Sequence, residues 1–176
     1  GCMAGVIPST GQSSCVFISC QPSAAQQVLA GEPVDAIARM LGAWSPALAG
    51  AVASLGLSSR AYRFPGAEGF MRACAGPGWA LVGDAGYFKD PCTSHGITDA
   101  FLDAERLATS LVNAPYDADA YRAARDVESR SFFDATSKIA ALDWDLDGLK
   151  ALHLAISKDM KREQDLICAR PAPLAA

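Results

Sequence analysis

Trp79-Ala80-Leu81-Val82-Gly83-Asp84-Ala85-Gly86-Tyr87-Phe88-Lys89-Asp90-Pro91-Cys92-Thr93-Ser94-His95-Gly96-Ile97 is the stretch on which the reading of this chain turns. It follows the turn Gly76-Pro77-Gly78 and opens with an apolar run, Trp79 to Gly83, that has the length of a strand buried on both faces. The run stops at Asp84, a loop carries on through Pro91, and the periodicity then changes. Ile97, Ala100, Phe101, Ala104, Leu107, Ala108 and Leu111 form an apolar stripe at helical spacing, with Asp99, Asp103 and Arg106 opposite. The stripe is expected to be core, and to hold the loop before it rigid. Strand, loop and helix in that order have a chemical use. Ligands of open α/β sheets bind beyond the carboxyl ends of the strands, so Asp84 would emerge where it could hold a ligand hydroxyl by a charge-assisted hydrogen bond. Pro91 sits ahead of the helix, where a missing N–H costs little, and Gly96 lacks the Cβ that would keep a flat ligand from the backbone. The amides of Gly96 and Ile97 are then free donors at the positive end of a helix dipole.

Upstream of this stretch, residues 4 to 8 and 15 to 20 are β-prone runs separated by the polar cluster Ser9 to Ser14, which is a hairpin signal. From Ser23 the pattern becomes helical, through Val28, Leu29, Val34, Ile37, Met40 and Leu41, with a break from Gly31 to Pro33; Pro46 and Gly50 limit the next helix. Ser58 to Phe64 and Phe70 to Ala75 read as further strands. Downstream, Pro115 closes the helix that starts near Gly96. Asp117 can cap another, in which Tyr121, Ala124, Phe132, Ala135 and Ile139 form the buried stripe. A last helix is expected from Leu149 to Ile167, with a frayed tail from Arg170. The expected fold is α+β, an α/β fragment with part of an antiparallel sheet, one strand of a second domain and several C-terminal helices. Its segments are 1–75, 76–113 and 114–176.

Composition narrows the function classes. With 51% hydrophobic and only 19% charged residues, the 176-residue chain is suited to packing and not to disorder. The net charge of −4, with Lys161 and Arg162 an isolated basic pair, offers nothing to a nucleic-acid backbone. No apolar run is long enough for a membrane span and no signal-peptide pattern opens the chain, so a cytoplasmic location is the default expectation. Six cysteines without C-x-x-C spacing read as reduced, and His95 and His153 lack ligand-spaced partners, so no metal is expected.

Gly83-Asp84-Ala85-Gly86-Tyr87-Phe88-Lys89-Asp90-Pro91, then Gly96, then Asp103-Ala104, resembles the third conserved motif of flavoprotein aromatic hydroxylases and their relatives. The G-D-A-x-x-F-x-D-P version is most similar to the branch that holds flavin-dependent halogenases and geranylgeranyl-reductase-like enzymes; Tyr87 stands where the hydroxylase form has His. The resemblance is tight over about thirty residues, and the strand-rich segment before it is similar to the substrate-domain sheet of these enzymes. It implies an FAD-dependent oxidoreductase acting on a small organic substrate. Gly83, Asp84 and Pro91 would form the flavin loop, with Asp84 on a ribitol hydroxyl. Ser94, His95, Gly96 and Ile97 would face the pyrimidine edge of the flavin, His95 as a contact only.

The family also needs a G-x-G-x-x-G segment to seat the FAD pyrophosphate, and this spacing does not occur here. The chain is therefore expected to be truncated and to hold half a cofactor site, with no catalytic residue assigned. The competing expectation is a non-catalytic remnant that acts as an interaction module, its uncovered apolar faces occupied by a partner or a second copy. Cys92 near the helix start reads as a packing cysteine in preference to a thiolate, and Ser94 beside His95 lacks the nucleophile-elbow spacing of a hydrolase. Lys89 and Asp90 read as solvated loop charges, Trp79 and Trp144 as packing residues.

Overall fold

A computed structural model describes residues 2–28, 30–55, 58–113 and 116–169. The chain is α+β, a mixture of helices and small antiparallel sheets, and divides into two compact units at 65/66. The division puts residues 66–75 in the second unit, together with the segments 76–113 and 114–176.

In the first unit, β1 (Cys2–Pro8) and β2 (Ser14–Cys20) form the expected antiparallel hairpin, in the register Val6↔Val16. Its turn closes through Ser9 N–H donating to the Ser13 carbonyl at 2.9 Å. Three helices follow: α1 (Pro22–Val28), α2 (Pro33–Gly42) and α3 (Pro46–Leu55). Each begins with proline, whose missing N–H is no loss in a first turn. Asp35 in the first turn and Arg39 in the last complement the dipole of α2. Ala36 and Leu41 supply its buried face. The strand expected over 58–64 does not form. Pro65-Gly66 follows directly, no strand lies alongside among the described residues, and Tyr62 and Phe64 are exposed.

In the second unit, β3 (Phe70–Met71), β4 (Ala75–Gly76), β5 (Trp79–Ala80) and β6 (Tyr87–Phe88) make two short ladders, β3 with β6 and β4 with β5. α4 (Gly96–Asn113), α5 (Ala118–Ala140) and α6 (Leu146–Cys168) complete it. Asp117 caps α5 as expected, accepting from the amides of Asp119 and Ala120 at 3.0 Å each. Asp145 caps α6 by accepting from Gly148. The core has two centres. Phe132, Ala135, Ile139 and Ile156 join α5 to α6, while Cys74, Ala75 and Tyr121 join β4 to α5. Leu29, Pro115 and the tail from 170 lie outside the described residues. No helix among the described residues is long and apolar enough to cross a membrane.

Three expectations for the second unit need correction. The run from Trp79 to Gly83 is not a strand buried on both faces: its strand has two residues, pairs among the described residues only with β4, and leaves Val82 exposed and Trp79 at 46% of full exposure. α4 is inverted relative to the expected packing. Ile97 is 76% exposed, Phe101 73% and Leu111 56%, whereas Asp99, Leu102 and Asp103 are buried. Only Ala100 and Leu107 of the apolar stripe are even half-buried. In α5, Ala124 is exposed, and Arg125, Ser129 and Thr136 join Tyr121, Phe132, Ala135 and Ile139 on the buried face. Both helices bury charges because those charges are paired, as the loop between β5 and α4 shows.

Candidate functional site

The loop starts with a forced glycine. Val82 is extended and Gly83 turns at φ +56° into a single 3₁₀ turn, Gly83–Ala85. A Cβ at Gly83 would lie 2.9 Å from the Ala100 Cβ, so this residue lets the loop rest directly on α4. Two buried groups fix the turn from below. The Asp103 carboxylate accepts from Gly83 N–H at 3.1 Å, and Arg125 donates to the Gly86 carbonyl at 2.9 Å and to the Arg72 carbonyl at 2.7 Å. Arg106 donates to Asp103 at 3.0 Å and also binds Glu128, which ties this support to α5. Burial raises the Asp103 carboxyl, while the Gly83 amide and the Arg106 and Arg125 guanidinium groups draw it back down.

Asp84 stands differently from its neighbours. It is exposed and makes no hydrogen bond to another described residue. Its Oδ1 lies 3.7 Å from the position a Cβ would take on Gly96, so the carboxylate sits beside the first turn of α4. The segment between them is built by local chemistry. Asp90 accepts from Cys92 N–H at 2.9 Å and so caps a 3₁₀ turn, Pro91–Thr93. Ser94 then adopts a left-handed conformation at φ +53°, uncommon for a residue with a side chain, and its N–H donates to the Pro91 carbonyl at 2.9 Å. That reversal aims the chain into α4. Asp99 N–H is the first α4 amide to find a carbonyl, that of His95 at 3.1 Å, which leaves the amides of Gly96 and Ile97 as donors at the helix end.

His95 is turned inward. Its Nδ1 lies 3.1 Å from Asp99, its Nε2 3.0 Å from Glu163 of α6, and its ring stacks on Phe132 at 4.3 Å. Burial by itself would lower the imidazole, but the hydrogen bonds and charges of Asp99 and Glu163 overcome this and push it up to about 9. Lys89, expected at the surface, is buried beside it. Its ammonium bonds Asp99 and donates to Tyr87 Oη at 3.2 Å, and burial pulls it below the ordinary lysine range against the opposing pull of Asp99. Cys92 packs against the α5–α6 core, and burial next to Asp90 pushes its thiol up to about 12, so it is no ready nucleophile. The loop histidine thus orders the turn, and any ligand contact from residue 95 would come from its backbone.

Comparison with protein-family models, curated proteins and solved structures returns no match. The geometry stands alone.

Of the residues expected at the site, Asp84 lies beside Gly96 at the start of α4, next to the exposed Ile97, while Gly83 is buried against Ala100 beneath the turn and His95 faces inward. Asp84 and Ile97 are exposed there. A small polar cavity lies instead between α4, α5 and α6, where Asp99, Arg106, Glu128 and Asp159 line it and neither Asp84 nor Gly96 does. Arg125, Glu128 and Glu163 are the supporting residues that sequence reasoning missed. Arg125 was detectable only as a charge at a position of α5, four after Tyr121, where the helical period calls for burial.

Proposed function

We propose that this chain is the C-terminal part of an FAD-dependent oxidoreductase, a flavoprotein fragment that supplies the ribitol and pyrimidine-edge contacts of the flavin. The observation that carries the reading is the pairing of an exposed, uncommitted Asp84 carboxylate with the unpaired Gly96 and Ile97 amides at the end of an 18-residue helix. An exposed carboxylate without a hydrogen bond to another described residue, beside donor amides, has the form of a cradle with one acceptor and two donors. Asp84 would accept from a ribitol hydroxyl, and the two amides would donate to the flavin edge, where the helix dipole stabilises accumulating negative charge. FAD would supply the redox chemistry itself.

The surface around the cradle supports the same reading. Val82 and the α4 residues Ile97, Phe101, Ala104, Ala108 and Leu111 are apolar or small and exposed. On this proposal they are the face that the dinucleotide-binding half of the enzyme covers, and that half would bring the pyrophosphate site absent from the sequence given. The substrate would be a small organic molecule, and the hairpin β1–β2 would belong to the sheet that binds it. The test is to express the chain with the coding sequence upstream of Gly1 and titrate it with FAD. A bound flavin spectrum is expected, with affinity weakened about 10- to 100-fold in Asp84→Ala, the worth of a hydrogen bond to a charged group. Failure of the complete polypeptide to bind FAD overturns the proposal.

The exposed α4 face equally favours one second reading, an interaction module in which a second copy or another protein covers the stripe. Size-exclusion chromatography separates the two: a dimer that Phe101→Ser dissociates, together with indifference to FAD, supports the module.

A further inference from the structure

The hairpin of the first unit holds a thiol pair that neither the flavin reading nor the composition uses. Cys2 and Cys20 are direct cross-strand partners on the last rung of β1 and β2, at the open end of the hairpin. The kind of rung follows from the turn. Ser9 N–H donates across to Ser13, so residue 9 occupies a hydrogen-bonded position, and the alternation of an antiparallel ladder makes 7, 5 and 3 hydrogen-bonded and 8, 6, 4 and 2 non-hydrogen-bonded. Pro8, which has no N–H to give, falls on a non-hydrogen-bonded rung, as that parity requires. Cys2↔Cys20 is therefore a non-hydrogen-bonded pair. In such pairs the Cα atoms stand about 4.5 Å apart and the side chains converge on one face, inside the span a disulfide bridges, whereas hydrogen-bonded rungs hold side chains farther apart.

The neighbours agree. Ala4↔Ile18 and Val6↔Val16 continue the same face, so the two thiols end an apolar column and are half-buried. Burial and the nearby Cys2 both raise the Cys20 thiol, which places the two sulfurs within electrostatic reach of one another. Cys15 is the internal control. It opposes Ile7 on a rung of the other parity, so it points to the opposite face and has no cysteine partner across the ladder.

We propose that Cys2 and Cys20 are a modification site that closes to an intramolecular disulfide by exchange with a small-molecule disulfide of the glutathione class, stapling the open end of the hairpin. In the first step the thiolate of one cysteine attacks the small disulfide, forms a mixed disulfide and expels one thiolate. In the second, the partner thiolate attacks the protein-side sulfur and expels the other. The protein loses two electrons and two protons, and the small disulfide becomes two thiols. Two-stranded hairpins are marginal alone, and their register is readily lost where both outer edges lack a neighbour, as they do here among the described residues. A bond on the Cys2–Cys20 rung would hold the two strands in register.

The experiment incubates the intact chain in glutathione buffers of increasing oxidised fraction, quenches with an alkylating reagent under denaturing conditions and maps the peptides. Alkylatable thiols are expected to fall from six to four, with one peptide linking Cys2 to Cys20, Cys15 still alkylated, and slower amide exchange along the hairpin. In Cys20→Ser the link and the protection should both vanish. Six persistent thiols, a lasting glutathione adduct without the internal link, or links to Cys15 as frequent as those to Cys20 would each overturn the proposal.

Discussion

The two faces of α4 are built on opposite principles. One carries Asp99 and Asp103, charges that a helix would ordinarily give to water, and buries them. The other carries Ile97, Phe101 and Leu111, and leaves them exposed. The buried face succeeds because each charge has a partner: Asp103 holds Gly83 N–H and Arg106, and Asp99 holds Lys89 and His95. Buried charges are tolerable only when paired and hydrogen-bonded, so this face is complete within the second unit. The apolar face is complete only if something covers it. The comparison teaches that α4 sets the loop with its polar face, and that its exposed apolar face is the one on which the proposed function draws.

Breaking the polar face should have the largest effect. Asp103→Ala removes the acceptor of Gly83 N–H and strands Arg106, and should cost about 3 to 5 kcal/mol in urea denaturation of the chain, the range for halving a buried ion pair. Asp103→Asn keeps an acceptor of the same shape and should lose clearly less. A loss equal to that of alanine would mean that the charge, and not the link to Gly83, is what the fold uses.

Gly83→Ala probes the contact between loop and helix. A side chain at φ +56° and 2.9 Å from Ala100 should destabilise by about 1 to 3 kcal/mol. Gly50→Ala, at a position with nothing within 4 Å, should be neutral or mildly stabilising.

The third prediction concerns pH. His95 holds its proton more tightly folded than unfolded, so its contribution is full below about pH 6.5 and is lost as pH rises through about 9. Lys89, Asp99, Tyr87 and Glu163 face the same cluster. The comparison is therefore between the chain and His95→Asn at each pH. The wild type should lead by about 2 to 3 kcal/mol near pH 6, and the gap should close by pH 10. A gap that widens with pH would contradict the pairing with Asp99 and Glu163.

The smallest effect belongs to the apolar face. Phe101→Ser should change the stability of this chain by no more than about 0.5 kcal/mol, as at most surface positions. With the upstream sequence present, the same substitution should cost about 1.5 to 3 kcal/mol, because a covered phenylalanine is then lost.

Much of this was legible in the sequence. Proline punctuation placed α1, α2 and the start of α3, although Gly50, expected to limit that helix, lies inside it; the polar cluster Ser9 to Ser14 placed the hairpin, and Asp117 announced its cap. The sequence also brought Asp84 and Gly96 to one loop. It did not say which side of α4 is buried, because periodicity reports that a helix has two faces and not which of them meets its neighbours. The answer depends on partners far along the chain, Glu128 for Arg106 and Glu163 for His95, that no local pattern links. The missing strands have a similar cause: 58–64 and 79–83 have β character, but a strand needs a neighbour, and among the described residues each run finds little or none.

The central claim is that the free end of α4 and the Asp84 carboxylate receive a flavin, and amide hydrogen exchange tests it most directly. In the polypeptide extended upstream, added FAD should slow exchange at Gly96 and Ile97, with the protection reduced in Asp84→Ala. FAD that binds while the Gly96 and Ile97 amides exchange unchanged would contradict the claim.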